Sequence, residues 1–415
     1  MFSCLNKDIP FFFSSYYQQK KWIKGIDYIF ALQLSSNFSK NKNIIKKSYK
    51  TTPYNYKINL LNAKINVLEN KKDYTLLKPP FYAHLSFKAD YYYLSAQKEL
   101  YLTDLQNASN NISKALKIYK KLGYLYECAL CYQTFATIYK LCGLKDISYT
   151  MLTEAKKLYE HIKCPAKLAE TNAYLGIHEL TSQNYQNAID YFDLSQKICT
   201  EHNLKKTMLD ILNWKAFALF QQGDYKNALK TAKLVQNATS VSSNTKSFCY
   251  EIISRIYYQQ NKPLLAIKHA NLGLDIAQKQ KDMQYNFELN FLKAEAFFML
   301  KKYTNAKDIL ITLIKQKYSN CITFYPANAY SLLGLIYLKE NNLKQAQNMF
   351  KSALDLEHSK NRSKGAIIDY NNLAEISLKL GNKKTAQKYL QHAIDLAKEL
   401  KDNNLESYLQ KKLKN

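Results

Sequence analysis

The sequence is poor in glycine. Its 415 residues include only nine glycines, and no two of them are separated by a single residue. The glycine-rich loops of P-loop proteins, dinucleotide-binding folds and protein kinases need glycines at close spacing, so all three classes are excluded. No Gly-x-Ser-x-Gly occurs either, and the seven histidines are dispersed. We therefore expect no catalytic residues and no cofactor, and we expect that the protein is not an enzyme.

Arginine is almost absent although the chain is strongly basic. Lys and Arg number 60 against 33 Asp and Glu, a net charge of +27, but only Arg255 and Arg362 are arginines. Proteins that read phosphates and base edges favour Arg, because its planar guanidinium binds them bidentately. A Lys-, Asn- and Tyr-rich composition is also typical of an AT-rich genome. We therefore favour compositional bias over nucleic-acid binding. Residues 1–80, with 14 Lys against 4 acids, are the more basic part per residue.

No run of about 18 apolar residues occurs, so the sequence predicts no membrane span. The eight cysteines are dispersed, as expected for free, buried thiols in a reducing compartment. Cys128 and Cys131 form a C-x-x-C, but no second ligand pair follows at zinc-site spacing, so we expect packing and no metal. These features favour a cytoplasmic protein. The alternative is organelle targeting through an N-terminal extension in which residues 9–68 contain one acid, Asp27.

An internal repeat is the strongest pattern in the sequence. A small residue recurs at steps of 40, 40, 40, 38, 40, 40 and 40, at Ala96, Ala136, Gly176, Ala216, Ser254, Ala294, Gly334 and Ala374. Twelve residues after each comes a second small residue, which is Ala in seven cases and Ser148 in the other. Small residues on two facing helices let the helices approach closely. The sequence therefore predicts eight antiparallel helix pairs.

Turn signals separate the two helices of each predicted pair. Seven residues after the small position stand residue types that tolerate positive φ and end helices: Gly143, Gly223, Asn261, Asn341 and Gly381. Tyr185, Tyr225 and Tyr303 are then expected to begin second helices. In the seventh pair the full pattern is Tyr330, Leu333, Gly334, Tyr337, Ala346, Phe350 and Ala353.

These residue types and spacings resemble the tetratricopeptide repeat over residues 85–400. Repeats of about 40 residues are similar to those of kinesin light chains, of the MalT-type activator and of bacterial peptide-sensing regulators. The resemblance implies an all-α, right-handed solenoid of stacked antiparallel helix pairs. It is specific for the fold and much less so for the function. No helix-turn-helix is legible in residues 1–50, so the DNA-binding module of the peptide-sensing regulators is missing or unrecognisable.

The pattern divides the chain into four parts. Residues 1–50 form a basic, targeting-like or poorly ordered extension, and residues 51–84 a capping helix or degenerate repeat that ends at Lys78-Pro79-Pro80. Residues 85–400 hold the eight hairpins, and residues 401–415 a C-terminal capping helix with Leu405, Tyr408, Leu409 and Leu413 among polar residues. Terminal caps are expected because the end repeats of a solenoid need a polar outer face.

Groove-facing side chains of such a solenoid are expected three residues before, one after and four after each small residue of the first helix. In the middle repeats these positions carry one amide and several aromatic and charged side chains: Asn213, Phe217, Phe220, Glu251, Arg255, Tyr258, Phe291, Glu295 and Phe298. An Asn can bond a peptide backbone, an Arg can hold a carboxylate, and aromatics give contact area. The alternative is that the aromatics pack on neighbouring helices and that Arg255 pairs with Glu251 or Glu295.

The favoured function is a scaffold or adaptor that binds a protein or peptide segment in its concave groove. One alternative is a basic nucleic-acid-associated protein, and another is a peptide-sensing regulator without a recognisable DNA-binding module. A chaperone-tail clamp is not implied, because Gln133, Thr137, Ala173 and Ile177 do not supply its Lys and Asn. The acids of the second helices (Asp190, Asp193, Asp355 and Asp395) are expected on a solvated face.

Overall fold

The computed structural model of the protein describes residues 59, 60, 63, 74–239, 241–315, 325–358 and 364–414. The expected extension, residues 1–50, lies outside the described residues, as does most of the expected N-terminal cap. Within the described part of residues 74–414 the chain forms seventeen α-helices and no β-strand. The expected all-α fold of stacked antiparallel helix pairs is confirmed.

The chain divides into two compact units, one ending at Thr231 and the other beginning at Ala232. Seven helices lie in the first unit: α1 Leu85–Tyr101, α2 Leu105–Leu122, α3 Leu125–Leu141, α4 Lys145–His161, α5 Pro165–Thr181, α6 Tyr185–Glu201 and α7 Lys205–Gln222. In this unit α1 packs on α2, α3 on α4 and α5 on α6, and each pair contacts the next. The border between the units falls within α8, Tyr225–Asn237.

Nine helices lie in the second unit: α9 Ser243–Gln259, α10 Pro263–Gln280, α11 Met283–Met299, α12 Tyr303–Lys315, α13 Tyr325–Lys339, α14 Leu343–His358, α15 Lys364–Lys379, α16 Lys383–Glu399 and α17 Asn403–Lys414. They again pack as sequential antiparallel pairs, with α9 on α10, α11 on α12, α13 on α14 and α15 on α16. The three second helices expected to begin at Tyr185, Tyr225 and Tyr303 begin at those residues.

The small residues of the repeat lie in the core, as the spacing predicts. All eight first-helix positions and all eight second-helix positions are buried. A Cβ added to Gly176 would stand 2.8 Å from Cε1 of Phe192, and one added to Gly334 would stand 2.8 Å from Cε1 of Phe350. Glycine is therefore needed at these two positions, because a phenylalanine ring of the second helix occupies the space of its side chain.

In six of the eight hairpins the size of the small residue matches that of the residue sixteen positions later, on the second helix; the exceptions are Ala216 and Ser254, which are followed at that spacing by Ala232 and Ala270. Glycine faces Phe192 and Phe350, whereas alanine at 96, 136, 294 and 374 shares a core cluster with Ile112, Leu152, Leu310 and Leu390 respectively. In these six hairpins glycine is therefore combined with phenylalanine, and alanine with leucine or isoleucine.

Serine replaces a small apolar residue at two of the paired positions, and each serine bonds the facing helix. Ser148 Oγ donates to the carbonyl oxygen of Ala136 at 2.7 Å, and Ser254 Oγ donates to that of Ala266 at 2.9 Å. Each bond therefore joins the two small positions of one hairpin. The buried hydroxyls are satisfied, so a serine of alanine-like size is tolerated in the core.

Every turn between the two helices of a pair contains a residue with positive φ, seven positions after the small residue. The expected Gly143, Gly223, Asn261, Asn341 and Gly381 are confirmed, with φ between 57° and 92°. Thr103, Gln183 and Lys301 take the same conformation in the other three turns, with φ of 62°, 63° and 58°. The next residue's N–H then bonds a carbonyl five residues back, as in Asn184 to Glu179 at 2.9 Å. These are Schellman-type helix ends.

Both ends of the array are covered by short segments. Leu60, Ala63 and Tyr74 pack with Phe87 and Leu94 of α1, and Tyr74 Oη donates to the carbonyl oxygen of Leu94 at 2.9 Å.

At the other end Leu409 of α17 is fully buried in the core of the last repeats, with Leu405 and Leu413 packed around it. Tyr408 of the same helix is 56% exposed. One face of α17 is therefore apolar and the opposite face is solvated, which suits a terminal element.

The acids expected on the outer faces of the second helices, Asp190, Asp193, Asp355 and Asp395, are all exposed, so that expectation is confirmed. The C-x-x-C thiols are both buried, and burial raises the pKa of Cys128 to about 11 and that of Cys131 well above its ordinary value. Thiols held protonated in this way are poor nucleophiles, which fits a packing role.

Candidate functional site

Nine groove candidates lie on three first helices, and they divide between the two units. Asn213, Phe217 and Phe220 are on α7 in the first unit; the other six are on α9 and α11 in the second. On each helix the three positions follow a spacing of four and three residues, which places them on one helical face. Each unit therefore carries its own candidate surface.

Arg255 of α9 is held by two glutamates. Its Nε donates to Oε1 of Glu251, four residues earlier, and its Nη2 donates to Oε2 of Glu288 on α11; both distances are 2.9 Å. Glu251 and Glu288 are 6% and 7% exposed, whereas Arg255 keeps about a quarter of its side chain accessible (27%). Burial opposes the charge of Arg255, but the two carboxylates outweigh it and raise its pKa above the ordinary value. The guanidinium therefore joins the first helices of two successive repeats.

Glu288 was not among the predicted candidates, and it replaces Glu295 as a partner of Arg255. It lies six residues before Ala294, so it continues the face of Phe291, Glu295 and Phe298 by one more turn. The pattern that selected three positions per helix stopped one turn short. Extending it toward the N-terminus of the helix would have found this residue.

Glu295 of α11 is half-buried beside this ion pair. No residue in the described ranges makes a hydrogen bond or an ion pair with its carboxylate. Burial raises its pKa to about 7; the charge of Arg255 counteracts this, and the charge of Glu288 adds to it. Glu295 therefore changes its charge near neutral pH, where an ordinary glutamate is always ionised.

Aromatic side chains border the same surface. Tyr258, Phe291 and Phe298 are each half-buried. The ring of Phe291 stacks on Phe287 with a centroid distance of 6.4 Å, and that of Phe298 lies 5.7 Å from the ring of Tyr303. Phe291 and Phe298 also pack against the core of their repeats. One side of these rings packs on neighbouring side chains, which was the alternative to a ligand-binding role, and part of each ring's area stays accessible.

The candidates of the first unit are more deeply packed. Asn213 is 1% exposed, so it lies in the core of the unit. Phe217 and Phe220 stack with a centroid distance of 6.2 Å, and Phe220 also lies 5.7 Å from Tyr225 at the start of α8. On this face only the two half-buried phenylalanines offer contact area to a ligand.

Polar side chains in the first unit bond from one repeat to the next. Gln97 Nε2 donates to Thr134 Oγ1 at 2.8 Å, and Gln133 Nε2 donates to Thr171 Oγ1 at 2.9 Å. The two bonds join residues 37 and 38 positions apart, so they are equivalent hydrogen bonds between the first helices of successive repeats. Gln133 also accepts a bond from Tyr159 Oη at 3.1 Å. These glutamines therefore help to set the spacing of the repeats.

A charged cluster on α5 was also missed by the sequence analysis. Lys167 Nζ pairs with Oε2 of Glu170 at 2.7 Å, and Tyr174 Oη donates to the other oxygen, Oε1, at 3.1 Å. Both carboxylate oxygens of Glu170 therefore have a partner, one in the ion pair with Lys167 and the other in the hydrogen bond from Tyr174. Unlike Glu295, it leaves no unpaired charge.

Within the described ranges, no group of three or more His, Cys, Asp or Glu side chains is arranged to hold a metal ion. Among the helices that the structure describes, none has both the length and the apolar character to cross a bilayer.

Comparison with known proteins supports the repeat assignment. Residues 325–399 match a family model described as tetratricopeptide repeat. A search of curated proteins finds no match to this sequence. The predicted resemblance to the tetratricopeptide repeat is confirmed by this match, and the solved structures below share the fold.

Three solved structures share the fold at low sequence identity. The apo form of the quorum sensor NprR from B. thuringiensis is 16% identical, covers 86% of this chain and 98% of its own, and gives a TM-score of 0.61. The Rap conjugation gene regulator of plasmid pLS20, in complex with the Phr* peptide, is 14% identical and covers 86% and 95%, with a TM-score of 0.53. The signal transduction ATPase with numerous domains (STAND) protein with a tetratricopeptide repeat sensor, PH0952 from Pyrococcus horikoshii, is 14% identical and covers 86% of this chain and 55% of its own, with a TM-score of 0.53.

Proposed function

We propose that the protein is a peptide-binding repeat protein that works by recognition, without covalent chemistry, as a regulator or adaptor. The observation that carries the proposal is the surface of α9 and α11, which combines partly accessible aromatic rings with an unpaired carboxylate. Packing alone does not explain such a carboxylate, because a charged group withdrawn from water without a partner opposes folding. The Rap regulator with a similar fold holds a peptide in its solved structure, which is compatible with this role.

The mode of binding that fits these helices is an extended or helical segment lying along the first-helix face of the second unit. Tyr258 and Phe298 would give contact area at low entropic cost, since each ring has only two rotatable side-chain bonds. The ion network of Arg255 holds α9 and α11 in fixed register, so the surface is organised before a ligand arrives. Preorganisation of this kind favours affinity over adaptability.

The test is selection from a random-peptide display library on the immobilised full-length chain. We expect enriched peptides with the unmodified protein, and loss of enrichment with the double variant Tyr258→Ala, Phe298→Ala. The matched control is Tyr408→Ala, which removes an aromatic ring that is 56% exposed on α17, and it should keep the enrichment. Failure of the unmodified chain to enrich any peptide refutes the proposed function. If the double variant enriches peptides as well as the unmodified chain does, the binding surface lies elsewhere on the protein.

A further inference from the structure

We infer that the peptide ligand is cationic: the surface of α9 and α11 receives a lysine or arginine side chain of the peptide at Glu295. This inference rests on the proposed function and names the ligand class of that same surface. It reverses the expectation that Arg255 would hold a ligand's carboxylate, since the structure assigns that guanidinium to two glutamates of the chain.

The charge balance of the cluster favours a cation. Three carboxylates (Glu251, Glu288 and Glu295) surround one guanidinium, so the four groups sum to −2 when all are ionised. Arg255 is bound on both Nε and Nη2, and a ligand's carboxylate would have to displace a buried glutamate to reach those nitrogens. Leaving that glutamate buried without its partner would be costly. The net negative charge of the cluster therefore disfavours an anionic ligand and attracts a cationic one.

Glu295 is the group that a ligand can satisfy. Glu251 and Glu288 each have an oxygen bonded to Arg255, whereas Glu295 has no hydrogen-bonding or ion-pair partner in the described part of the chain. Its carboxylate is buried deeply enough to shift its protonation strongly, yet part of the side chain stays accessible. A carboxylate in such surroundings is stable only if it takes up a proton or meets a cation. A ligand's ammonium or guanidinium would supply the missing partner.

Aromatic rings complete the surroundings expected of a cation site. Phe291 and Phe298 stand four residues before and three after Glu295, on the same face of α11. Tyr258 of α9 is close enough to Glu295 for the carboxylate to raise the pKa of its hydroxyl, after burial, which is the larger cause. Ring faces attract cations and pack against the aliphatic part of lysine and arginine side chains.

Proton binding at Glu295 competes with the cation. The charged or titratable groups around it are Arg255 and Tyr258 from α9 and Glu288 from its own helix. In the described ranges, α10, α12 and α13 also pack on α11 but add no charged group that shifts its pKa. Because its pKa is about 7, the ionised fraction rises from about one tenth at pH 6 to about nine tenths at pH 8. Cation binding should therefore tighten about tenfold over that interval.

The experiment begins with the peptides enriched on the unmodified chain. We expect Lys or Arg at one fixed position of the enriched sequences, and we expect Glu295→Gln to lose that preference. Asp308→Asn is the matched control, since Asp308 is an exposed carboxylate on α12. Enrichment without a basic residue, or with an acidic one, overturns the inference while leaving the proposed function intact. Absence of any enrichment refutes the proposed function itself.

The second readout is the affinity of one enriched peptide, synthesised with a blocked amino terminus and without histidine. Its Kd should fall about tenfold from pH 6 to pH 8, and Glu295→Gln should weaken binding at pH 8 about tenfold to a hundredfold and remove the pH dependence. Replacing the peptide's lysine by norleucine should have the same effects. A Kd that does not depend on pH with the unmodified chain, or unchanged binding to Glu295→Gln, overturns the inference. Near-UV circular dichroism verifies that the variant is folded.

Discussion

Replacing Gly176 by alanine should destabilise the first unit by about 1–2 kcal/mol. The added Cβ would stand 2.8 Å and 3.0 Å from two ring carbons of Phe192, and 3.1 Å from the carbonyl oxygen of Ala188. Overpacking in a closely packed core costs about 1–3 kcal/mol, and the backbone contact places this site in the upper half of that range. Alanine gains about 1 kcal/mol over glycine within a helix. The loss should exceed the gain.

The assay is urea unfolding followed by helical circular dichroism, on a double-mutant cycle with Phe192→Leu. Phe192→Leu alone should cost about 1 kcal/mol. The double variant recreates the Ala and Leu combination of positions 136 and 152, so its loss should be about 1 kcal/mol and well below the sum of the single losses. Additive losses, or a Gly176→Ala variant as stable as the parent, would refute the idea that the sizes of these two residues are matched.

Three further outcomes are expected. Lys301→Gly should stabilise the fold by about 0.5–1 kcal/mol in thermal or urea unfolding, because its φ of 58° strains a side-chain-bearing residue, while Lys302→Gly should not. The pKa of Glu295 is raised to about 7 in the folded protein, so its contribution to stability is fully present below the unfolded pKa near 4.3 and falls as the pH rises to about 7. Glu295→Gln should therefore stabilise the protein at pH 8 and not at pH 4. Stabilisation at pH 4 and not at pH 8 would contradict the raised pKa. In the folded chain at pH 8, iodoacetamide should label the exposed Cys142 but not Cys128, which is buried and has a pKa raised to about 11. Mass spectrometry should detect the label on Cys128 only after urea is added.

The fold was predictable because its determinants recur. Small residues at a nearly constant step mark the two packed helices of every hairpin. A repeat with a weak pattern of its own can therefore be located from the other seven. Three turns lacked a visible signal, since Thr103, Gln183 and Lys301 are not residues that favour positive φ. Their conformation is imposed by the packing of the helices on either side, which no local propensity reveals.

The candidate surface was predictable only in outline. Helical spacing found Arg255 and Glu295 on facing helices, because faces follow from position alone. The alternative expectation paired Arg255 with Glu251 or Glu295; the pairing with Glu251 is confirmed, and the second partner is Glu288. The depth of Asn213 was also missed, since burial depends on how adjacent repeats pack. Pairing and depth are tertiary properties, and a one-dimensional pattern does not contain them.

The matched sizes in six of the hairpins restrict how the repeats can change during evolution. A crossover in the turn between two helices could join the first helix of the third hairpin to the second helix of another, and Gly176 would then face a leucine across an unfilled gap. The reciprocal product would press an alanine against Phe192. Duplications and exchanges that keep both helices together avoid both defects. Whole hairpins are therefore the segments that can be exchanged without these two defects, through breakpoints in the connections that follow each second helix.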